Sequence, residues 1–379
     1  MKRSKLFLVA IALLASCQQG EVLVDTFDPL PEAPRRIGFE TFVDKATRAQ
    51  GTNSTELNDF YPVFNVYGWK TVGSELTCVF DNIPVEYFAT DIAGSVVYTA
   101  GKPGDEWVFA AGSWYYENLR YWDKMASGYQ FSAYAPATAS ADVACSADGI
   151  ITIGTSTAPV TVDPMNLMDT PAEALAFTGF DRDYMTAQAN TTSGKVGLTF
   201  KHLLAKLNIR IKLDESITTA QDVSVQKIAI HNLGDKGYYT NDVNAAGTVS
   251  GWALAEESGL YVPTADKVYT LNAATNYDGY YVLEQLIIPQ TIVKPNADIP
   301  SLNEYGEACI YVEYTIGAET FKSYTPLANI FIGTDAGTDY DLEGGNQYTL
   351  NVTIGPKPIE FTAIVDDWAD AIEKNHIMD

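Results

Sequence analysis

The sequence predicts an all-β protein built from antiparallel β-sandwiches, on three observations. Strand-like runs follow one another without the helical patterns that a parallel sheet needs between its strands. The composition, with 23 Tyr and 28 Gly, favours strands and turns. Several runs also alternate apolar and polar residues at the period of a strand that is buried on one face.

The predicted strands can be placed in chain order. Ile37, Phe39 and Val43 share one face of a first strand at 37–43. From residue 60 onward, short apolar runs alternate with turns that contain Gly or Pro. The cleanest alternation, KHLLAKLNIRIKL at 201–213, predicts one long strand with its apolar face buried. Later runs repeat this pattern at 310–316 and 348–354.

A chain of 379 residues is long for one hydrophobic core and suits two domains. We place the boundary near residue 195, with an N-terminal sandwich at 37–195 and a C-terminal sandwich at 196–379. Residues 17–36 contain three prolines among polar residues, so we expect them to form an extended tether.

The first seventeen residues have the layout of an export signal. Basic residues precede an apolar run at 6–14, which is too short to span a bilayer as a helix. The run ends in Leu14-Ala15-Ser16-Cys17, which resembles the bacterial lipobox. The signal peptide 1–16 is therefore predicted to be cut off between Ser16 and Cys17, and Cys17 to carry acyl chains that hold the protein to a membrane. The alternative is an ordinary signal whose cysteine is incidental.

Charge and cysteine content narrow the function classes. The formal net charge of −24 falls to −27 without the three basic residues of 1–16, which opposes binding to nucleic acid. A disulfide between two of Cys78, Cys145 and Cys309 stays open. The strand-like surroundings of Cys78 and Cys309 favour buried, unpaired thiols instead.

No pattern typical of catalysis, of a cofactor or of a metal site stands out. The three histidines are far apart, and His202 falls on the polar face of its predicted strand, where a solvated or structural role is expected. The acidic run at 335–343 lacks EF-hand spacing and is typical of a turn-rich loop. Asp366 and Asp367 are strand neighbours that point to opposite faces, so they do not form a catalytic pair. The sequence predicts no enzyme, and a secreted hydrolase is the least favoured function.

Aromatic residues are dense between residues 107 and 134. The Trp and Tyr residues there are Trp107, Trp114, Tyr115, Tyr116, Tyr121, Trp122, Tyr129 and Tyr134. Rings of this kind stack on sugars in carbohydrate-binding modules, but they also fill the cores of β-sandwiches. We favour core packing, because most of them lie in alternating runs. The alternative function is a surface lipoprotein that binds glycan through this domain and does not polymerise.

Six motifs follow the lipobox in a fixed order and span nearly the whole chain. They are FNVYGW at 64–69, the aromatic run from Trp114 to Trp122, FSAYAP at 131–136, FKHLLAKLNIRI at 200–211, LIIPQ at 286–290, and the ending YTLNVTIG…IEFTAIVDDW. Each motif is weak alone. Together they resemble the fimbrillin-like family, the FimA/Mfa-like lipoprotein subunits of type V pili. The resemblance implies two transthyretin-like β-sandwich domains in tandem and a structural or adhesive role without catalysis.

The resemblance also implies a route of assembly. In that family a lipoprotein precursor reaches the outer membrane, and an arginine-specific protease cuts the loop after the first strand. Thr47-Arg48-Ala49 matches the processing position, so cleavage between Arg48 and Ala49 is expected. Cleavage there would release the lipid together with the first strand, which would make the anchor temporary.

Loss of the first strand would expose a groove that the terminal strand of a neighbouring subunit fills. The candidate donor strand presents one apolar face, formed by Ile359, Phe361, Ala363 and Val365. Pairing of this strand within its own domain is the alternative. The implied partners are other pilus subunits in a homo- or heteropolymer, the processing protease, and a host or bacterial surface ligand.

Overall fold

The computed structural model describes residues 36–43, 57, 61–88, 112–162, 183–218, 221–242, 251–255, 268–271, 280–293, 308–332, 339–355, 359–367 and 370–374. The predicted lipidation and cleavage residues Ser16, Cys17, Arg48 and Ala49 lie outside these ranges, as do Trp107 and Asp335. Within these ranges, no helix has both the length and the apolar character needed to cross a membrane.

Strands make up most of the described chain. In order they are β1 (Gly38–Val43), β2 (Val63–Val72), β3 (Glu75–Phe88), β4 (Ser113–Tyr115), β5 (Gly128–Ala135), β6 (Val143–Cys145), β7 (Ile151–Ile153), β8 (Val160–Thr161), β9 (Met185–Thr191), β10 (Lys195–His202), β11 (Ala205–Leu213), β12 (Val223–His231), β13 (Lys236–Thr240), β14 (Gly251–Leu254), β15 (Tyr269–Leu271), β16 (Tyr280–Ile287), β17 (Gln290–Ile292), β18 (Cys309–Ile316), β19 (Glu319–Pro326), β20 (Tyr340–Leu342), β21 (Asn346–Ile354), β22 (Glu360–Asp367) and β23 (Asp370–Lys374). A 3-10 helix lies at Ala137–Ala141 and a short helix, α1, at Leu327–Ile332. The predicted all-β sandwich architecture is confirmed.

The first sheet contains seven strands in the order β1-β10-β9-β5-β2-β3-β4. Its strands pair antiparallel, except that β1 runs parallel to β10. The segment after β4 reaches back to the start of β1, so the sheet nearly closes on itself. The enclosed core is rich in aromatic rings, among them Phe39, Phe64, Phe80, Phe131 and Phe200.

Two further sheets form a second sandwich. One has the order β16-β11-β21-β22-β23 and the other the order β15-β12-β18-β19. Alternate side chains of β11, β12, β18, β21 and β22 meet between them, together with the apolar residues of α1. The period-two pattern therefore buries one apolar set against the opposite sheet, as predicted for these runs.

A fourth sheet combines strands from both predicted domains. It has the order β14-β13-β7-β6, with β8 also pairing with β13, and a small β17-β20 pair completes the topology. Strands β6–β8 come from the range 37–195, whereas β13 and β14 come from 196–379. The two ranges therefore share one sheet, and a boundary at residue 195 does not separate the sheets.

The prediction of one continuous strand at 201–213 is wrong. β10 ends at His202 in the first sheet, and β11 begins at Ala205 in the second sandwich. Leu203 and Leu204 between them are both buried in a third apolar core that joins the first and fourth sheets. Consecutive side chains of a strand point to opposite faces, so burying both leucines in one core requires a break in the strand.

Candidate functional site

β1 is an edge strand whose inward side chains close the first core. Ile37, Phe39, Thr41 and Val43 are buried, whereas Phe42 on the opposite face is 37% exposed. The face predicted from Ile37, Phe39 and Val43 is therefore confirmed, and Thr41 belongs to it as well.

The backbone of β1 covers the otherwise free edge of β10. In the parallel register Phe39 lies beside Val196, Thr41 beside Leu198 and Val43 beside Phe200. The other edge of β10 is already paired with β9. Without β1, β10 would present a row of unpaired N–H and C=O groups beside an apolar groove, which is a template for another strand.

A ring of hydrogen bonds holds the start of β1. The Tyr116 hydroxyl donates to the carbonyl oxygen of Ile37 (2.8 Å), and the Ile37 N–H donates to the carbonyl oxygen of Arg120 (2.8 Å). The Arg120 N–H in turn donates to the Tyr116 hydroxyl oxygen (3.2 Å). We call residues 116–121 the clamp segment. Ile37 takes part in this ring only through its backbone N–H and C=O groups. The clamp segment can therefore hold a strand with any side chain at this position.

Two further contacts fix the clamp segment. The Arg120 Nε donates to the carbonyl oxygen of Val79 at 3.0 Å, and its guanidinium lies 5.7 Å from the centre of the Phe80 ring. Burial raises the pKa of Tyr116 to about 12, so its hydroxyl keeps the proton that it donates well into the alkaline range.

Phe39 fits into a nest of four aromatic rings. Its ring centre lies 6.0 Å from Phe64, 5.5 Å from Phe80, 5.6 Å from Tyr116 and 6.0 Å from Phe131. All four contacts have edge-to-face geometry, which is a favourable arrangement for aromatic pairs. With only 4% of Phe39 exposed, this side chain anchors β1 in the groove.

One polar atom on the inner face of β1 is poorly accommodated. The Thr41 hydroxyl is buried and has no hydrogen-bond partner within the described ranges. A buried hydroxyl that gives up water without a replacement destabilises the folded state. The groove therefore holds β1 less tightly than its apolar contacts alone would allow.

The predicted donor residues lie in β22 and in the residue before it. β22 pairs antiparallel with β21 on one side and with β23 on the other. Ile359, Phe361 and Ala363 are buried in the core of the second sandwich, and Val365 packs against it. In the isolated chain the candidate donor strand thus lies within its own domain, which is the alternative arrangement considered above.

The aromatic run between residues 107 and 134 mainly fills the cores. Trp114, Tyr116, Tyr129 and Tyr134 are buried, and Trp114 packs edge-on against Phe64 at 4.8 Å between ring centres. With 8% of Trp114 exposed, this ring offers no open face for stacking on a sugar. The burial of these four side chains agrees with the prediction that the aromatic run packs in the core.

The three described cysteines are unpaired. Cys309 is buried, as expected, but the expectation of burial is wrong for Cys78, which is exposed because the first residues of β3 face solvent. Burial raises the pKa of the Cys145 thiol to about 12, which disfavours the reactive thiolate.

Other polar residues from the sequence analysis have structural surroundings. His202 Nδ1 lies 3.0 Å from the carboxylate of Asp183, which is a structural contact of the kind expected. Asp341 accepts a hydrogen bond from Thr291 across the β17-β20 pair. No group of three His, Cys, Asp or Glu side chains that could hold a metal ion occurs in the part of the chain that the structure describes.

The clamp segment is a feature of the candidate site that the sequence did not reveal. Tyr116 and Arg120 both lie in the aromatic run that contributes to the family resemblance, but their bonds to Ile37 join residues far apart in the chain. A pattern within one segment carries no information on such a contact.

Comparisons with known proteins place this fold in a family. A family model described as fimbrillin-like matches residues 47–368. Two solved structures are similar in fold: a fimbrial protein from Bacteroides vulgatus (16% identity, TM-score 0.46, covering 90% of this chain and 99% of that one) and the tip fimbrial protein Mfa3 from Porphyromonas gingivalis with C-terminal truncation (12% identity, TM-score 0.38, covering 82% and 96%). No match was found among curated proteins. Because the family model covers most of the sequence, the chain belongs to the fimbrillin-like family.

Proposed function

We propose that this protein is a structural or adhesive subunit of a cell-surface fimbria. It is exported as an outer-membrane lipoprotein anchored through Cys17, and it assembles by strand exchange after cleavage between Arg48 and Ala49 removes β1. Membership of the fimbrillin-like family supports the fimbrial role. The single observation that carries the mechanism is that β1 is an edge strand whose inward side chains are buried in the apolar core of the first sheet.

The position of Arg48 suits this mechanism. Of the described strands only β1 precedes Arg48, so one cut there separates a single strand from all the others. The match to the family model begins at residue 47 and therefore excludes β1. Until the cut, β1 keeps the edge of β10 paired and the groove filled, which prevents premature association of subunits.

The groove left by β1 has the two properties that strand addition requires. The edge of β10 offers main-chain hydrogen bonds, and the aromatic nest offers a pocket for an alternate side chain of the incoming strand. The candidate donor, β22, is followed in the described chain only by β23. Its withdrawal would make β21 the edge of its sheet and would take Ile359, Phe361 and Ala363 out of the core of the second sandwich.

Treatment of the purified precursor with an arginine-specific protease tests this function. We expect a product that begins at Ala49 and forms a ladder of oligomers, whereas Arg48→Ala should remain full-length at this position and monomeric. Arg36→Ala is the matched control, because it removes a nearby arginine and leaves the proposed site intact. Chains that are fully cut after Arg48 and stay monomeric would overturn the assembly mechanism.

A further inference from the structure

The outer face of the β15-β12-β18-β19 sheet carries charged and aromatic side chains in two neighbouring rows. In the first row Lys227 of β12 lies beside Glu313 of β18, and Glu313 lies beside Lys322 of β19. In the second row Tyr311 of β18 lies beside Tyr324 of β19. The alternate residues of these strands pack in the core of the second sandwich, so the five side chains point away from it. We call these five residues the tyrosine patch.

Two stacked rings form the aromatic part of the tyrosine patch. The ring centres of Tyr311 and Tyr324 are 4.6 Å apart and their planes differ by 26°. Tyr311 is only 4% exposed, whereas Tyr324 is 36% exposed. Because β19 is the last strand in the described order of this sheet, no described strand lies beyond Tyr324. The ring of Tyr324 is therefore supported on one face and accessible on the other.

A carboxylate fixes the polar groups beside this stack. Glu313 Oε2 accepts a hydrogen bond from the Tyr311 hydroxyl at 2.5 Å and lies 3.4 Å from Lys322 Nζ. The hydrogen bond from Tyr311 and, less strongly, the charge of Lys322 lower the pKa of the Glu313 carboxyl, so it is ionised at neutral pH. Lys227 Nζ lies 6.0 Å from the centre of the Tyr311 ring. The buried tyrosine is thus held in place on both sides.

We propose that the tyrosine patch binds a pyranose that carries a carboxylate, the group shared by uronic and sialic acids. The apolar C–H face of the sugar packs on the accessible face of Tyr324, and the sugar carboxylate pairs with Lys322. An accessible aromatic ring with fixed polar groups beside it is suited to such a ligand. This inference rests on the adhesive role in the proposed function and adds a site and a ligand class, but it does not depend on strand exchange.

Charge favours an anionic ligand at this place. The whole chain carries a formal net charge of −24, whereas the tyrosine patch has two ammonium groups and one carboxylate. Lys322 is 55% exposed, and of its three N–H donors one is directed to Glu313, which leaves two for a ligand. Lys322 and Tyr324 are separated by about 6.6 Å along the strand, on the same face. The flexible lysine can therefore reach a carboxylate attached to a sugar ring on Tyr324.

The tyrosine patch suits a small ligand better than a protein partner. Tyr324 is the only exposed large apolar side chain of the described strands β12, β18 and β19. Protein interfaces contain an apolar core that is depleted of charged residues. A single accessible ring with three charged groups around it lacks such a core.

Titration of the purified precursor with monosaccharides tests the ligand class. The probes are methyl glucuronide, the methyl glycoside of sialic acid and the neutral methyl glucoside, and binding is followed by NMR chemical shifts. We expect saturable binding of an acidic sugar, about two- to fivefold stronger than that of the glucoside, with the difference reduced in high salt. Comparison of the two acidic probes identifies the source of the carboxylate. Absence of saturable binding for both acidic probes would overturn the proposal.

Substitutions at the two contact residues test the site. Tyr324→Ala should weaken binding of every probe by about three- to tenfold, whereas Tyr324→Phe keeps the ring and should bind normally. Lys322→Ala should weaken only the acidic probe, by about two- to fivefold. The matched control is Lys124→Ala, which removes an exposed lysine outside the tyrosine patch. Thermal melts confirm that each variant is folded. Equal affinities of Lys322→Ala and Lys124→Ala for the acidic probe would exclude the carboxylate contact.

Glu313→Gln has the opposite expected effect. Glutamine still accepts the hydrogen bond from Tyr311, but it removes the negative charge that competes with the ligand for Lys322. The acidic probe should therefore bind about two- to threefold more tightly, and the neutral probe should be unaffected. Weaker binding of the acidic probe to this variant would contradict the proposed role of Lys322.

The failure of this inference and the failure of strand exchange can be distinguished. All titrations use the uncut precursor, so loss of sugar binding leaves assembly after cleavage at Arg48 untouched. A cut chain that stays monomeric would overturn the assembly mechanism, while saturable sugar binding by the same preparation would still support the tyrosine patch.

Discussion

Phe39→Ala is the substitution that most directly probes how β1 is held. The side chain is 4% exposed and meets four rings within 6.0 Å between centres. Truncation of such a buried ring costs about 3–5 kcal/mol. In the precursor this loss should appear in the free energy of unfolding. After cleavage at Arg48 it should weaken the hold on β1 by more than about a hundredfold, since about 1.4 kcal/mol corresponds to a factor of ten.

Two assays on the same samples measure this effect. Denaturant unfolding of the precursor reports the free energy of unfolding, and gel filtration of the cut chain reports how much β1 fragment remains bound. Phe42→Ala is the matched control, because this phenylalanine lies on the same strand but is 37% exposed, and it should cost less than about 1 kcal/mol. Equal effects of Phe39→Ala and Phe42→Ala would refute the assignment of Phe39 as the anchor of β1.

Three further substitutions have defined outcomes. Tyr116→Phe removes the hydrogen bond to Ile37, so the free energy of unfolding should fall by about 1–2 kcal/mol and β1 should leave the cut chain faster. Between pH 10 and pH 12 the same variant should lose less free energy of unfolding than the natural protein does. The pKa of Tyr116 is raised on folding, so its contribution to stability is complete below pH 10 and is lost as the pH rises through that range. Thr41→Val, which keeps the shape and removes the unpartnered hydroxyl, should raise the free energy of unfolding by about 1 kcal/mol, and a decrease would show that the hydroxyl is satisfied. Trp114→Ala should lower the free energy of unfolding by about 3–5 kcal/mol, as measured in a thermal or denaturant melt. A variant that is as stable as the natural protein but has lost saturable oligosaccharide binding would favour the glycan-binding alternative.

Alternation within single segments was the most informative feature of the sequence. It identified the core-facing sides of β1, β18 and β21, because the period of two determines which side chains point to the core. On β21 the opposite face is buried as well, which the alternation did not predict. In KHLLAKLNIRIKL the same rule failed at Leu203 and Leu204. In the sequence, two adjacent leucines are compatible with a continuous strand and with a break between two strands. Only the structure, in which both leucines are buried in the third core, distinguishes the two cases.

Contacts between distant segments were not predictable in the same way. The pairing of β7 and β8 with β13 and the bonds from the clamp segment to Ile37 connect residues far apart in sequence, largely through backbone atoms. Backbone groups are the same in every residue, so they leave no compositional trace.

N-terminal sequencing and intact-mass measurement of this protein, taken from isolated cell-surface filaments, test the central claim most directly. Strand exchange after processing predicts chains that begin at Ala49 and carry no lipid, with the β1 fragment absent from the filament. Filaments built from chains that still begin at an acylated Cys17 would contradict removal of β1 as the step that starts assembly.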